Sequence, residues 1–480
     1  MRTHNRRDFL KAAGLAVAVC SVPVRASKET PYGVTTNRPN ILWILSEDIS
    51  PDLSCYGDPT VQTPNLDKLA AQGIRFTQAF TTAPVCSPSR SAMITGMFQT
   101  TIGAHNHRSH RNDGYTLPEP VKLITEYFRQ AGYFTANVKT AAPGVAGSGK
   151  TDFNFKFKNA FDGDDWNQRK TGQPFFAQLS ISMTHRGGHW KNVRKMLDNP
   201  VNPAEVKLPP YYPDHPVARE DWATYLNSIQ VMDQYMGKIM KRLDDEGLAD
   251  NTVVIFIGDN GQCHVRGKQW LYDGGIHIPL LVRWPGKLEA GQVCDNLVSS
   301  IDISATILKI AGIQPPKHLE GRLFLEPDGQ GAWKPVNVHD YIIAARDRCD
   351  ETVDHIRCVR TKQYKYIRNF MPERPYTQPN AYKEQSYPML NLMKELHAQG
   401  KLTPVQELFM APRKPDEELY DLTNDPWEIN NLAASPQHQA MLKTMRAILD
   451  KWIKETGDMG QFPEKPSAIT EEDRIKIYGK

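Results

Sequence analysis

Two apolar runs in this chain break off on oxygen-bearing side chains. Asn40 to Ser46 (Asn-Ile-Leu-Trp-Ile-Leu-Ser) is followed by Glu47-Asp48, and Thr252 to Ile257 leads through Gly258 into Asp259-Asn260. A short continuous apolar run bounded by polar residues predicts a strand buried on both faces, as in a sheet covered by helices on each side. In open α/β sheets ligands bind beyond the carboxyl ends of the strands, so the two acid-bearing ends predict one shared site. Four oxygen-bearing side chains suit a hard cation. Calcium tolerates irregular oxygen geometry better than magnesium, which is the alternative, and the scarcity of histidine among the four disfavours zinc.

The rest of the first two thirds alternates in the same way. Residues 65–72 and 120–131 predict helices stopped by Gly73 and Gly132, and Arg219 to Glu246 predicts a long amphipathic helix ended by Gly247. Phe175 to Ile181 and Ile278 to Arg283 read as further buried strands, and Ile301 to Ala311 as a helix. Strands alternating with helices predict an α/β sandwich. After about residue 335 the rhythm changes. Tyr341 to Ala345, Ile356 to Thr361 and Tyr364 to Arg368 predict short strands, and Gln437 to Lys454 a helix, hence a smaller antiparallel sheet with a packed helix. The chain accordingly divides into 1–26, a linker 27–38, a catalytic domain 39–335 and a C-terminal α+β subdomain 336–480.

Between the two acid-bearing ends lies Cys86-Ser87-Pro88-Ser89-Arg90, followed by Ser91-Ala92-Met93-Ile94-Thr95-Gly96. Ser89 to Thr95 predicts a short helix stopped by Gly96, with Cys86 just before its N-terminus and Arg90 one turn inside. Helix N-termini favour anions. The segment therefore predicts an anion site containing a reactive sulfur, against the plainer alternative of a buried cysteine at a helix start.

The order Cys-x-Pro-x-Arg resembles the signature of type I sulfatases, and the likeness extends over nearly all of the chain after residue 37. The resemblance implies an alkaline-phosphatase-like α/β sandwich with a large, mostly parallel or mixed central sheet. It implies that Cys86 is oxidised to Cα-formylglycine by a maturation enzyme, and that the hydrated aldehyde is the nucleophile. It implies that Glu47, Asp48, Asp259, Asn260 and residue 86 hold the calcium, although the family usually carries aspartate at the position of Glu47. Gly267-Lys268-Gln269 looks like the family's lysine loop, with Lys268 on a sulfate oxygen, and Arg90 beside it. His185, in Ser182-Met183-Thr184-His185-Arg186, matches the histidine that protonates the leaving group. The family's Gly-Lys-x-His is matched imperfectly by Gly149-Lys150-Thr151-Asp152, with Lys139 as the other candidate lysine. Asp152 stands where histidine belongs, which leaves Asp152 or His264 as base for the second half-reaction. Glu418-Leu419-Tyr420-Asp421-Leu422, Asp425-Pro426-Trp427-Glu428 and Asn431-Leu432-Ala433 resemble the C-terminal signature. The motif order and Met183 to His189 look most like the N-sulfoglucosamine sulfohydrolase branch. A sulfated saccharide is the implied substrate. A phosphodiester or phosphonate monoester hydrolase of the same fold and an inactive glycan-binding relative are the alternatives.

With 58 Lys and Arg against 54 Asp and Glu, the formal net charge is only +4, so nucleic-acid binding is not expected. A polyanionic substrate then needs a local basic patch. Tyr341 to Arg374, with Arg346, Arg348, His355 and Arg357, is the candidate. Asn5-Arg6-Arg7-Asp8-Phe9-Leu10-Lys11 matches a twin-arginine pattern, and an apolar run from Ala12 to Val24 follows that is too short for a membrane span. The leader implies the twin-arginine export machinery as a partner and a periplasmic or secreted protein. The 7 cysteines show no metal-finger spacing. Cys349 and Cys358 could meet across a hairpin, but disulfides are not expected to hold the fold.

Overall fold

The computed structural model describes residues 38–470 together with Glu472 and Ile475. The expected leader, 1–26, and all but the last residue of the linker lie outside the described residues.

Seven strands form the central sheet: β1 (Asn40–Ser46), β2 (Ile74–Phe80), β3 (Phe134–Val138), β4 (Phe175–Ile181), β5 (Thr252–Gly258), β6 (Leu280–Arg283) and β7 (Gln292–Ser299). Their spatial order is β3-β4-β1-β5-β6-β2-β7. β1 lies inside the sheet, third in that order, parallel to β4 on one side and β5 on the other, with Ile44 opposite both Leu179 and Phe256. β6 runs antiparallel to β5 and β2, so the sheet is mixed. Period-2 alternation sends successive side chains to opposite faces. Leu42, Ile44, Val254 and Phe256 pack with Ala223, Leu226, Ile229 and Met236 of the long helix Pro216–Asp245. Ile41, Trp43, Leu45, Val253 and Ile255 pack on the other face with Met93, Ile94, Phe128, Ile303 and Ile307. Both faces of β1 and β5 are therefore covered, which is why their sequences are apolar throughout.

A second sheet of four antiparallel strands follows: β8 (Ile342–Arg346), β9 (Ile356–Arg360), β10 (Tyr364–Asn369) and β11 (Glu417–Asp421), in that order. The helix Gln439–Thr456 lays Leu442, Met445, Leu449 and Trp452 on Ile343, Val359, Tyr366 and Leu419. The expected α/β sandwich and smaller antiparallel sheet are both present. The strands β2, β3, β7 and β11 were not anticipated. The helix expected over 120–131 is Ile124–Gln130, because Pro118 and Pro120 hold the preceding chain out of helical conformation. Among the described residues no helix is long and apolar enough to cross a membrane, and the six described cysteines are all unpaired, Cys349 and Cys358 included.

Candidate active site

The sheet ladder runs directly into the site. Beyond Ser46 and Gly258, which face each other, Asp259 N donates to Ser46 O at 3.0 Å, Glu47 N to Ile181 O at 3.1 Å and Ile49 N to Asn260 O at 2.9 Å. The backbone at the ends of β1, β4 and β5 is thus fixed, and the acids leave it in defined directions. Asp48 has a left-handed φ of 52°, an unfavourable conformation for a residue with a Cβ, and its N–H donates to Asp259 Oδ1 at 3.0 Å.

Cys86 is the first residue of the helix Cys86–Thr95, not the residue before it, because Pro88 is tolerated in a first turn. Arg90 lies one turn inside, and Gly96 ends the helix at φ 66°. Every residue of this helix is buried, so its hydroxyls find partners. Ser89 Oγ donates to Asp259 O at 2.5 Å and Ser91 Oγ to Ser87 O at 2.7 Å.

Cations and carboxylates interlock around the sulfur. Lys268 Nζ lies 3.1 Å from Cys86 Sγ and reaches both oxygens of Asp48. Arg90 donates through Nε to Asp259 Oδ2 at 2.9 Å and through Nη1 to Ser180 Oγ at 2.8 Å, while its Nη2 is buried without a partner. Lys150 Nζ pairs with Glu47 Oε2 at 2.6 Å. His185, on the loop after β4, places Nε2 3.9 Å from Asp48 Oδ2. Most of the sequence-derived residues are thus brought together. Of the two candidate lysines, Lys150 is in the cluster, whereas Lys139 is exposed and 3.5 Å from Asp164.

Burial pushes the Cys86 thiol up to about 12, against the pull of Lys150 and Lys268. It would also raise Asp48, but Lys268, helped by His185, holds that carboxyl well below its usual range. Glu47 is likewise lowered, its burial outweighed by Lys150, Arg90 and His185. A neutral thiol among ionised acids is a poor nucleophile as it stands.

The donors fit a hard cation. Ligand-capable atoms of Asp48, Cys86 and Asp259 lie within 4.8 Å of one another, as do those of Glu47, Cys86 and His185. Asn260 Nδ2 donates to Asp48 Oδ1 at 2.9 Å, yet its Oδ1 is buried with no partner, an acceptor left open toward a cation.

The loop that carries Lys268 is packed without slack. A Cβ on Gly261 would lie 2.2 Å from Gly274 O, on Gly267 2.2 Å from Gln262 O, and on Gly275 2.1 Å from Trp270 O.

Other placements differ from expectation. His264 is fully buried, 3.4 Å from Asp221 and ringed by Trp190, Trp222 and Tyr225, so it faces aromatic packing. The basic segment after β8 does not line a subsite. Arg346 pairs with Asp354 at 2.8 Å, Arg348 with Glu464 at 2.5 Å, and Arg357 with Asp458 at 2.6 Å, all buried, while His355 stacks on Phe370. Those arginines neutralise buried acids within the second sheet and its neighbours. Sequence reasoning missed His107 and Arg108. His107 Nδ1 contacts Asp350 Oδ1 at 2.9 Å, and Arg108 N donates to Ser87 Oγ at 2.9 Å, next to Cys86. The dense run His105-Asn106-His107-Arg108-Ser109-His110-Arg111 is the signal that could have found them.

An α/β sheet whose central strand ends gather three acids, three cations and a cysteine at a helix start defines a hydrolase-like anion site. The family model described as Sulfatase matches residues 39–313, and that described as N-sulphoglucosamine sulphohydrolase, C-terminal, matches 261–407. An ulvan-active sulfatase of Formosa agariphila is 35% identical over 92% of this chain and 79% of that protein. Human N-sulphoglucosamine sulphohydrolase is 26% identical over 92% of this chain and 95% of its own. A solved protein in complex with its substrate D-glucosamine-2-N,6-O-disulfate shares the fold, with a TM-score of 0.60 and 16% identity over 88% of this chain and 99% of that one. The chain belongs to the sulfatase family, hydrolases of sulfate esters with an alkaline-phosphatase-like fold.

Proposed function

We propose that this protein is an exported sulfatase that removes a sulfate group from a sulfated saccharide, using an aldehyde made from Cys86 and a calcium ion. The observation that carries this reading is the buried contact of Lys268 with both Cys86 and Asp48, within a cluster that also holds Arg90, Lys150, Asp259 and Asn260. The relatives named for ulvan and for N-sulphoglucosamine support a saccharide as substrate.

Asp48, Asp259, Asn260 and Glu47 would hold the calcium, which supplies positive charge for the sulfate oxygens. Converted to formylglycine and hydrated, residue 86 supplies an oxygen nucleophile in place of the inert thiol and afterwards releases sulfate without attack of water on sulfur. The maturation enzyme and, through the expected leader, the twin-arginine machinery are the implied partners.

The chain's own side chains set the electrostatics. A sulfate ester needs three oxygens neutralised and a poor alkoxide leaving group protonated. Arg90 is locked by Asp259 and Ser180 with one Nη left over, directed by a carboxylate that also belongs to the metal set. Lys150 and Lys268 add charge, the first beside Glu47 and the second beside Asp48 and residue 86. His185, partly exposed at the mouth, gives its proton to the departing oxygen or nitrogen. Of the two residues open as base for sulfate release, Asp152 is the one near the cluster, 3.7 Å from Lys150 Nζ.

Glu47 in place of the usual aspartate keeps a carboxylate in contact with Lys150, which supports an active site over an inactive one. The experiment is a screen of defined sulfated saccharides with matured protein, before and after chelation. Metal-dependent release of inorganic sulfate is expected. Faster turnover of phosphate diesters than of any sulfate would replace this reading by the phosphoesterase one.

A further inference from the structure

With Arg346, Arg348 and Arg357 committed to buried acids, basic groups for a polyanion must be sought elsewhere. One is Arg108. Its loop is stapled on all sides. Asn154 Nδ2 donates to Ala104 O at 2.9 Å and to Asn106 O at 2.7 Å. His107 N donates to Arg348 O at 2.9 Å, and Arg348 Nη2 to His107 O at 3.0 Å. Arg108 N is held by Ser87 Oγ, within the segment that carries Cys86. Arg108, His110 and Asp152 have left-handed φ values of 52°, 59° and 54°, strain that the surrounding hydrogen bonds must maintain.

The cations at this rim are not equally engaged. Asp152 is gripped by Arg111 and lies 3.7 Å from Lys150, which also serves Glu47. Arg108 reaches Asp152 only through Nε at 3.9 Å, and its side chain is 56% exposed. Arg111 and Lys150 already serve Asp152 and Glu47, and Asp350 contacts His107, so among these cations Arg108 is the one whose guanidinium has no carboxylate within hydrogen-bond distance among the described residues. A guanidinium presents a planar fork of donors suited to carboxylate or sulfate. Its backbone is fixed beforehand, so only the side chain remains to be ordered on binding.

We propose that Arg108 forms a second anion subsite at the rim, which takes a carboxylate or sulfate of the substrate other than the sulfate being removed. The enzyme then selects saccharides that carry two anionic groups. The inference rests on the sulfatase reading and adds the substrate class to it.

The test is calorimetric binding to the full chain carrying Cys86→Ala, which cannot form the aldehyde or turn over. Three probes are compared: a disaccharide with one sulfate and a uronate, the same with the carboxylate reduced to an alcohol, and a disulfated disaccharide. At least one two-anion probe should bind about 10-fold more tightly than the single-anion probe, the strength expected of a charge-assisted hydrogen bond pair. Whichever it is identifies the anion. Adding Arg108→Gln should erase that ratio, and Arg108→Lys, which keeps the charge, should retain part of it. No preference in the parent, or a preference that survives Arg108→Gln, overturns the subsite. So does an equal loss on all probes, or loss in both variants. Failure of every sulfated probe to bind, with no sulfate release by matured wild type, overturns the sulfatase reading and the subsite with it. Normal sulfate release without the ratio overturns the subsite alone.

Discussion

Lys268 sets its ammonium against both carboxylate oxygens of Asp48, at 2.8 and 2.9 Å, with the carboxylate wholly and the lysine almost wholly shielded from water. Removing one member of a buried ion pair leaves the other uncompensated and typically costs about 3–5 kcal/mol. A cation on Asp48 would restore the balance. Lys268→Ala is therefore expected to melt well below wild type without metal and to gain more from added calcium than wild type does, since ligands that bind only the folded state stabilise it. Thermal denaturation with and without calcium reads this directly. Equal calcium shifts in the two proteins would remove Asp48 from the metal set.

Cys86 should carry an aldehyde in active material. Its thiol is buried, raised to about 12, and thus un-ionised at neutral pH, which makes it ineffective as the nucleophile. Peptide mass analysis of fully active protein should show the sulfur gone. An intact thiol in such material would assign the nucleophile elsewhere. Cys86→Ala should fold normally and be inactive.

His185→Ala should lose activity in proportion to the leaving group's need for a proton. General acid catalysis contributes about 10²–10⁴-fold. A loss of that size is expected on a sulfated sugar, with a far smaller one on a nitrophenyl sulfate, measured as kcat/KM. Equal losses would make His185 a binding residue.

The buried arginines after β8 predict a structural phenotype. Arg357 lies between Asp458 at 2.6 Å and Asp347 at 3.0 Å with no solvent contact. Arg357→Ala should lower stability by about 3–5 kcal/mol in denaturant titration, and the surviving folded fraction should bind sulfated saccharide as wild type does. A binding defect at unchanged stability would reinstate this segment as a subsite.

Lys383 makes stability depend on pH. Burial, together with nearby Arg346, lowers it to about 7, and among the described residues its ammonium makes one hydrogen bond, a long one of 3.5 Å to Lys268 O. Its folded value lies below its unfolded one, so between about 7 and the usual lysine range the unfolded chain binds more protons. Stability from this group accordingly rises with pH across that window, and the deficit is complete below it. Lys383→Met should stabilise the protein at pH 6, by roughly 5 kcal/mol at most, and flatten the slope above pH 7. Urea titrations at several pH values decide it.

What could be read from the sequence divides along physical lines. β1, β4 and β5 were legible because burial on both faces makes them continuously apolar, and their acids follow at once. β2 and β7 mix polar and apolar residues near the sheet's edge, so their pattern is weak. The candidate site was legible wherever a short segment carries its own chemistry, as Cys86 to Arg90 does. The roles of Arg346, Arg348 and Arg357 were not. A run of arginines looks the same whether it faces solvent or meets Asp354, Glu464 and Asp458, which lie 8 to 116 positions away along the chain. His107 and Arg108 were missed for the related reason that their partners, Asp350 and Ser87, are distant in sequence.

The glycines of the Lys268 loop have a consequence for altering this protein. Gly261, Gly267 and Gly275 each sit where another residue's carbonyl already fills the space of a side chain, so that loop has a single workable sequence at those points. At the rim, Arg108 presents an exposed side chain, whereas Arg111 is tied to Asp152. On the subsite reading, substrate choice can be altered at Arg108 without touching that loop. A mutant library confined to position 108 can search for new saccharides while sulfate removal persists, whereas one spread over residues 259–276 will return mostly misfolded protein.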